Sequence, residues 1–250
     1  MTKPLDGQVA LVTGGVRRIG RSIALALAGA GADIVVNARS SRDEAEGVLR
    51  EVEALGVRGM VHLADVTQET AVAEMQATVE ARLGRVDILV NNAAIRREAV
   101  LTEMTYAEWR EILAVILDGA FLCSRAALPG MVARGHGRII NIGGVSAHTG
   151  AFERAHVAAA KAGIEGLSRA MAVEYAASGV TVNCVAPGKI GGKRSGTSGK
   201  TVSLPGNAKP IVPREGRPED VAAVVLTLCG AAGGFVTGQT IHVNGGLFLT

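Results

Sequence analysis

Short runs of β-branched residues alternate along this chain with longer stretches rich in alanine and leucine. The short runs predict buried parallel strands, and the longer stretches predict the helices that cover them. The predicted strands are residues 9–12, 34–36, 59–63, 88–90, 139–142, 180–185 and 240–243. The predicted helices are residues 19–30, 42–55, 69–83, 106–134, 154–177 and 218–229. About seven strands with helices on both faces predict an α/β fold, a doubly wound parallel sheet.

Length and composition limit the function classes. With 250 residues, 48% of them apolar, and no Pro/Ser-rich linker, the chain predicts a single domain over residues 1–250. A net charge of +3 and few aromatic residues argue against a nucleic-acid partner. No window reaches the ~18 apolar residues of a membrane span, so we expect a cytoplasmic protein that does not enter membranes. Cys123, Cys184 and Cys229 lie in apolar segments without CxxC spacing, which predicts buried thiols and no metal site.

A glycine-rich turn, residues 13–20, joins the first strand to the first helix. Glycines such as Gly14 and Gly20 permit a tight turn and let backbone N–H groups approach a pyrophosphate at the helix N-terminus. The same turn also occurs as a plain strand-to-helix connection. Its interpretation therefore depends on the segments that follow it.

Five further segments follow in a fixed order, at residues 65–66, 91–94, 158–161, 182–188 and 237–239, the last of which leads into a strand that ends at residues 244–246. Together with the turn, this set resembles the short-chain dehydrogenase/reductase family over essentially the whole chain. The resemblance implies a Rossmann-type fold and a nicotinamide cofactor. It implies cofactor-binding roles for Gly14, Ile19, Gly20, Asp65, Val66, Asn92, Ala93, Ala94, Lys161, Pro187, Gly188 and Ile190.

The turn and the second strand indicate which nicotinamide nucleotide is preferred. Arg18 replaces the middle glycine of the family's usual turn, as in the pteridine reductases, which the TGxxxRxG form resembles. The second strand ends in Asn37, Ala38, Arg39 and Ser40, without the acidic residue that would accept the ribose 2′-OH of NAD. Arg39 and Ser40 suit a 2′-phosphate, and Arg17 or Arg18 could add a second charge, so we predict NADP(H). The alternative is that these arginines are solvated residues beside the turn.

The catalytic region departs from the family pattern. Family members carry a tyrosine four residues before the lysine, a serine about thirteen residues earlier, and an asparagine in the preceding long helix. Here Val157, Gly144 and Ile116 fall at those positions, and only Lys161 is retained. Losing a general acid typically lowers a rate by ~10²–10⁴, while the positioning of hydride donor and acceptor can survive.

Lys161, His148, His156 and Glu153 are candidates for the missing proton donor, and Ser146 is a candidate for a displaced catalytic serine. Lys161 could act if an apolar site depressed its pKa. His148 and Ser146 lie in the segment after the fifth strand, which we predict to be a loop, and His156 neighbours the valine. The ordinary alternatives are a surface or helix-start role for each histidine and a loop-capping role for the serine.

Residues 189–212 lie where the family places a variable substrate lid. The segment is rich in glycine and basic residues, including Lys193 and Arg194, and Gly192 replaces a hydroxyl residue that usually contacts the carboxamide. With Arg96 and Arg97, it could form an electropositive mouth for a small anionic substrate, a carboxylate or a phosphate. A solvated loop is the alternative.

Three function classes remain open. The first is an NADP(H)-dependent oxidoreductase with an altered proton donor, which we favour. The second is a lyase, hydrolase or isomerase on the same scaffold, and the third is a catalytically silent nucleotide-binding subunit or sensor. The family resemblance also implies a homo-oligomer, a dimer or tetramer, built on helices 106–134 and 154–177.

Overall fold

The computed structural model describes residues 3–191 and 203–250. Seven strands are present in these residues: β1 Val9–Val12, β2 Asp33–Ala38, β3 Gly59–Leu63, β4 Ile88–Asn91, β5 Gly137–Ile142, β6 Val180–Pro187 and β7 Thr240–Val243. The helices are α1 Arg18–Gly29, α2 Arg42–Glu53, α3 Glu69–Leu83, α4 Tyr106–Leu113, α5 Gly119–Arg134, α6 Ser146–Thr149, α7 Ala155–Tyr175 and α8 Pro218–Cys229.

All seven strands pair in parallel, in the order β3-β2-β1-β4-β5-β6-β7. The chain leaves the sheet centre in one direction through β2 and β3 and in the other from β4 onward. The predicted doubly wound α/β fold is thereby confirmed. The carboxyl ends of β1 and β4 flank the point where the strand order reverses, which is where such sheets bind ligands.

Successive residues of each strand face opposite sides of the sheet and fill two separate cores. In β1, Ala10 and Val12 pack under α1, α2 and α8, while Val9 and Leu11 pack under α3, α5 and α7. The cysteines at positions 123, 184 and 229 are buried free thiols, as the sequence predicts. Burial on both faces explains why β1 contains no polar residue.

The helix predicted at residues 106–134 is interrupted at its centre. Residues Ala114–Asp118 form a π segment between α4 and α5, and Ile116 within it is 2% exposed. The hydrophobic period alone does not distinguish this wider turn from an α-helical one. Such segments occur mostly as single turns inside α-helices, frequently at functional sites.

By length and composition, one helix in the described part of the chain could cross a membrane. The Tyr106–Arg134 helix has a mean hydropathy of 1.7 over an 18-residue window. This helix contains Asp118 and Arg125 and therefore has no run of ~18 apolar residues, so the sequence prediction on that point is not contradicted. A single helix of this kind is a weak indication of a membrane span, because core helices share it, and 44% of the window is buried inside the protein.

The predicted loop after β5 is partly helical. Residues Ser146–Thr149 form one helical turn, α6, because Ala147 N–H donates to Gly144 O at 3.1 Å and Thr149 N–H donates to Val145 O at 3.1 Å. This turn fixes the position of Ser146, which is 8% exposed. The sequence did not reveal this helical turn, because four residues are too few to show a hydrophobic period.

A row of buried polar side chains joins two strands to α7. The Asn91 side-chain amide donates to Asn141 Oδ1 at 2.8 Å, and the Asn141 amide donates to Ser168 Oγ at 2.8 Å. Ser168 Oγ then donates to Ile164 O at 2.7 Å. We call Asn91, Asn141 and Ser168 the amide ladder.

Candidate active site

A cavity of about 250 Å³ opens at the carboxyl ends of β1, β2 and β4. Thirteen of the predicted cofactor positions line it: Gly14, Arg17, Arg18, Ile19, Gly20, Asn37, Arg39, Ser40, Asp65, Val66, Asn92, Ala93 and Ala94. They come from four separate parts of the sequence. The fold therefore brings together the residues that the family resemblance groups. We call this cavity the nucleotide cleft.

Close packing holds the glycine turn in place. Gly14 has a φ of +59°, and a Cβ added at Gly20 would lie 2.4 Å from Gly14 O, so this position requires glycine. The Asn92 side-chain amide donates to Thr13 O at 3.0 Å and to Gly14 O at 2.9 Å. The Asn37 amide donates to Ala64 O at 3.1 Å, which ties the end of β2 to the segment after β3. These contacts keep the mouth of the cleft rigid.

The basic residues of the cleft have different surroundings. Arg17 forms an ion pair with Glu44. Arg18, at a φ of +46°, donates to Ile190 O at 2.6 Å and Gly191 O at 3.1 Å, across the cleft. The structure thus directs the guanidinium of Arg18 to these carbonyls, whereas we expected it to add charge beside a 2′-phosphate. Arg39 is exposed at the end of β2.

A second cavity, of about 70 Å³, adjoins the nucleotide cleft and shares Arg18, Ile19 and Arg96 with it. We call it the inner pocket. Besides these three, seven residues discussed in the sequence analysis line it: Gly144, Ser146, Val157, Lys161, Pro187, Gly188 and Ile190. The shared lining residues show that the two cavities adjoin each other.

Lys161 is the buried cation of the inner pocket. Its side chain projects from α7 and is 2% exposed, and its ammonium donates a hydrogen bond to Ile142 O at the end of β5. Burial, and to a smaller extent the positive charge of Arg96, lowers the pKa of Lys161 to about 7. Lys161 can therefore exchange a proton near neutral pH.

Apolar atoms surround Lys161 on one side. Val157, one helical turn before it, is 3% exposed and packs with Ile112, Ile116 and Ala160. A Cβ added at Gly144 would lie 3.9 Å from both Lys161 Cγ and Ser146 Oγ. Ser146 carries the one hydroxyl among the described residues that line the pocket.

The two candidate histidines are not among the residues that line either cavity. The His148 ring nitrogen Nε2 lies 2.8 Å from Glu165 Oε1, and its ring stacks on Phe248 and meets His242 edge-on. His156 is 1% exposed, and burial lowers its pKa. Neither histidine therefore lines the inner pocket. For His156, its position next to Val157 in the sequence could not reveal this.

Arg154 lines the inner pocket, and the sequence analysis did not single it out. Its side chain is 5% exposed and forms an ion pair with Glu98. It precedes α7 by one residue, outside any motif, so no spacing marks it. A basic residue just before the helix of Lys161 was the only signal available.

The predicted lid lies partly outside the described residues. Gly192, Lys193 and Arg194 belong to the part of the chain that the structure does not describe. Of the remainder, Lys189 lines the inner pocket, and its ammonium donates to Ala208 O at 2.8 Å. Leu204 is 1% exposed and packs against the protein, whereas Ile211 and Val212 at the end of the segment are exposed.

Comparison with known proteins agrees with this geometry. A family model described as enoyl-(acyl carrier protein) reductase matches residues 14–248. A 3-oxoacyl-(acyl-carrier-protein) reductase of Synechocystis sp. is 39% identical, and the match covers 98% of each chain. Reductases with the same activity name from Staphylococcus epidermidis and Vibrio cholerae are also 39% identical, over 96% and 98% of this chain and 98% and 99% of their own. The chain belongs to the short-chain dehydrogenase/reductase family of oxidoreductases.

Proposed function

We propose that this protein is an NADP(H)-dependent reductase of 3-oxo compounds in which Lys161 supplies the proton. The relatives' names supply the class of acceptor, a ketone at C3 of an acyl chain, β to the acyl carbonyl. The observation that carries the proposal is the buried Lys161 in the inner pocket, a cavity that shares lining residues with the nucleotide cleft.

The residues of the cleft fit a dinucleotide. Gly14, Gly20 and the N-terminus of α1 leave the backbone accessible to a pyrophosphate. The end of β2 offers Arg39 and Ser40, a guanidinium and a hydroxyl suited to a 2′-phosphate. Asp65 and Val66 line the cleft and would contact the adenine, and Pro187, Gly188 and Ile190 line the inner pocket and would contact the nicotinamide.

The nicotinamide group, when bound, supplies the hydride. The protein's own part is to position the carbonyl and to give its oxygen a proton. With a pKa of about 7, the Lys161 ammonium is a far stronger acid than an ordinary lysine, and it is partly protonated at neutral pH. Ser146 lines the same pocket, and its hydroxyl would donate a hydrogen bond to the same oxygen.

The proposal includes the loss of the family's usual proton-handling groups. Val157 has no proton to donate, Gly144 offers only backbone atoms, and Ile116 makes the wall of α7 drier. A dry wall favours the neutral amine of Lys161 over its ammonium, which is the direction a lysine acid needs. The same set of substitutions thus removes one acid and strengthens another.

Two measurements test the proposal. Fluorescence titration with NADPH and NADH measures nucleotide binding, and nicotinamide absorbance follows the reduction of 3-oxo acids, esters and thioesters. Absence of NADPH binding would overturn the proposal. Binding without turnover of any 3-oxo compound would indicate a silent nucleotide-binding subunit instead.

Replacement of Lys161 separates charge from acidity. Lys161→Met removes both, and Lys161→Arg keeps a positive charge that does not release a proton at neutral pH. We expect both variants to lose at least ~10²-fold in kcat, the range of general acid catalysis. Full activity in Lys161→Arg would show that only the charge is needed.

A further inference from the structure

We infer that the substrate carries a carboxylate of its own, and that Arg154 and Arg96 bind it in the inner pocket beside Lys161. The inference rests on the proposed function, and it names a substrate class within it. It distinguishes this chain from reductases whose acceptor is a thioester, because a thioester is uncharged. The acceptor would be a small 3-oxo acid.

The charge of the inner pocket is the first observation. Five ionisable side chains are among the described residues that line it, and all are cationic: Arg18, Arg96, Arg154, Lys161 and Lys189. No acidic residue is among the described lining residues. A small, partly enclosed space lined by one sign of charge attracts a ligand of the opposite sign.

The second observation is the rigid placement of Arg154. Glu153, the residue before it, has a φ of +56°, which is unfavourable for a side chain larger than glycine. The Glu153 carbonyl accepts a hydrogen bond from Ala99 N–H at 2.8 Å, and Glu98 forms the ion pair with Arg154. Backbone strain of this kind persists where the surrounding structure enforces it, and it is concentrated at ligand-binding sites.

The chemistry of the guanidinium group suits a carboxylate. An arginine carries five N–H donors in a planar fork, so one group can contact a protein carboxylate and a ligand carboxylate. Glu98 orients the Arg154 fork without lying among the residues that line the pocket. The ion pair therefore holds the guanidinium in one orientation before a ligand arrives.

The position of Arg96 links the anion to Lys161. Arg96 lines both cavities, and its charge is close enough to Lys161 to lower the pKa of that lysine. A bound carboxylate would offset this repulsion and raise the pKa of Lys161. Cys184, the other titratable group acting on Lys161, stays a neutral thiol because burial raises its pKa to about 12. Substrate binding would thus favour protonation of Lys161, which supplies the proton for the reaction.

Binding to the wild-type protein is the decisive measurement. Butyrate and butyramide have the same carbon chain and differ in charge, so isothermal titration of each into the NADPH-saturated protein compares the two. We expect butyrate to bind at least tenfold more tightly, with net proton uptake at pH 8 when buffers of different ionisation enthalpy are compared. Equal affinity for the two compounds overturns the inference.

Variants assign the preference to residues. Arg154→Gln should remove the preference for butyrate, and Arg154→Lys should restore part of it. Arg97→Gln is the matched control, because Arg97 neighbours Arg96 but pairs with Glu111 outside the pocket. The double variant Glu98→Gln/Arg154→Gln avoids an unpaired carboxylate if the single variant is unstable. A preference unchanged in the folded variants would show that Arg154 does not bind the anion.

The outcomes separate this inference from the proposed function. Tight NADPH binding with reduction of both methyl acetoacetate and acetoacetate at equal kcat/KM leaves the reductase in place and removes the carboxylate site. Butyrate binding without NADPH binding would support the carboxylate site and exclude the reductase. At least a tenfold preference for acetoacetate in kcat/KM supports both.

Discussion

The ammonium of Lys161 donates a hydrogen bond to the carbonyl oxygen of Ile142, the last residue of β5. This contact joins the middle of the sheet to α7 at the inner pocket. A single neutral acceptor does not replace the hydration that a buried ammonium loses, so burial favours the neutral amine of Lys161 over its ammonium. The predictions on pH dependence follow from this imbalance.

The rate of reduction should fall as the pH rises through about 7. The reaction needs the protonated form of Lys161, and its pKa is lowered to about 7 mainly by burial. We expect kcat/KM for reduction to be level in acid and to fall about tenfold per pH unit in alkali. For oxidation of the corresponding hydroxy compound, kcat/KM should instead rise as the pH rises through about 7. A flat profile between pH 6 and 9 would exclude Lys161 as the donor.

Stability should rise with pH just above neutrality. Lys161 has an ordinary pKa of 10.5 in the unfolded chain and about 7 in the folded protein, so the unfolded chain binds the extra proton in between. The free energy of unfolding should therefore increase by up to about 1.4 kcal/mol per pH unit above pH 7. The buried thiols of Cys123, Cys184 and Cys229, whose pKa values are each raised from 9.0 to about 12, oppose this trend as the pH nears 9.

Urea denaturation at pH 7 and at pH 8.5 measures that slope. Lys161→Met is the control, because it removes the titrating group while keeping an unbranched side chain. The variant should be less dependent on pH than the wild type over this interval. Identical slopes in the two proteins would contradict a depressed pKa at Lys161.

Replacing Arg39 should change the nucleotide preference. Arg39 lines the cleft at the end of β2, where a 2′-phosphate would lie. Loss of a charge-assisted hydrogen bond of ~1.5–3 kcal/mol should weaken NADPH binding about 10- to 100-fold in Arg39→Gln, with little effect on NADH. Arg17→Gln should have a small effect, since Arg17 pairs with Glu44. Fluorescence titration gives both dissociation constants, and an equal loss for NADPH and NADH would argue against phosphate recognition.

His148 should matter more for stability than for catalysis. Its ring contacts Glu165, His242 and Phe248 and does not line the inner pocket. His148→Ala would leave the buried Glu165 carboxylate without this partner, so we expect a loss of about 1–3 kcal/mol in the free energy of unfolding. We expect kcat to change less than about threefold at a temperature where the variant is folded. A loss of ~10²-fold in kcat with normal stability would return His148 to the candidate donors.

Restoring the family's usual groups should raise ketone reduction. The triple variant Val157→Tyr, Gly144→Ser and Ile116→Asn places a phenol one turn from Lys161, and the Gly144 position has room for a Cβ. A proton donor contributes ~10²–10⁴ in rate, so at least a tenfold gain with a neutral 3-oxo ester is expected. Circular dichroism and NADPH binding check that the variant is folded. No gain in a folded, NADPH-binding variant would mean that the pocket does not hold an acceptor near position 157.

The sheet was predictable from sequence because its signal is repeated. The strands β1, β4, β5 and β6 are buried on both faces, so most of their residues are apolar, whereas the edge strands β3 and β7 are largely half-buried. The predicted bounds of α3 and α8 match the structure as well. The π segment Ala114–Asp118 and the turn Ser146–Thr149 were missed, because each spans too few residues to show a period.

The site residues that the backbone geometry requires could be predicted from sequence. The contacts of long side chains could not. Gly14 and Gly20 are marked by a turn that only glycine fits. The sequence does not show that Arg18 contacts Ile190 O or that Arg154 reaches the inner pocket, because an arginine can extend in many directions. Such assignments need the packed structure.

The amide ladder also restricts how the central strands can align. Asn91 and Asn141 are paired in the register of β4 and β5, and the hydrogen bond between their side chains is 2.8 Å. A slip of β4 by one residue would turn the Asn91 amide toward the opposite core, among aliphatic side chains with no acceptor. Misaligned arrangements of these otherwise uniform apolar strands are thereby penalised during folding, and the carboxyl end of β4 reaches the cleft in a single alignment.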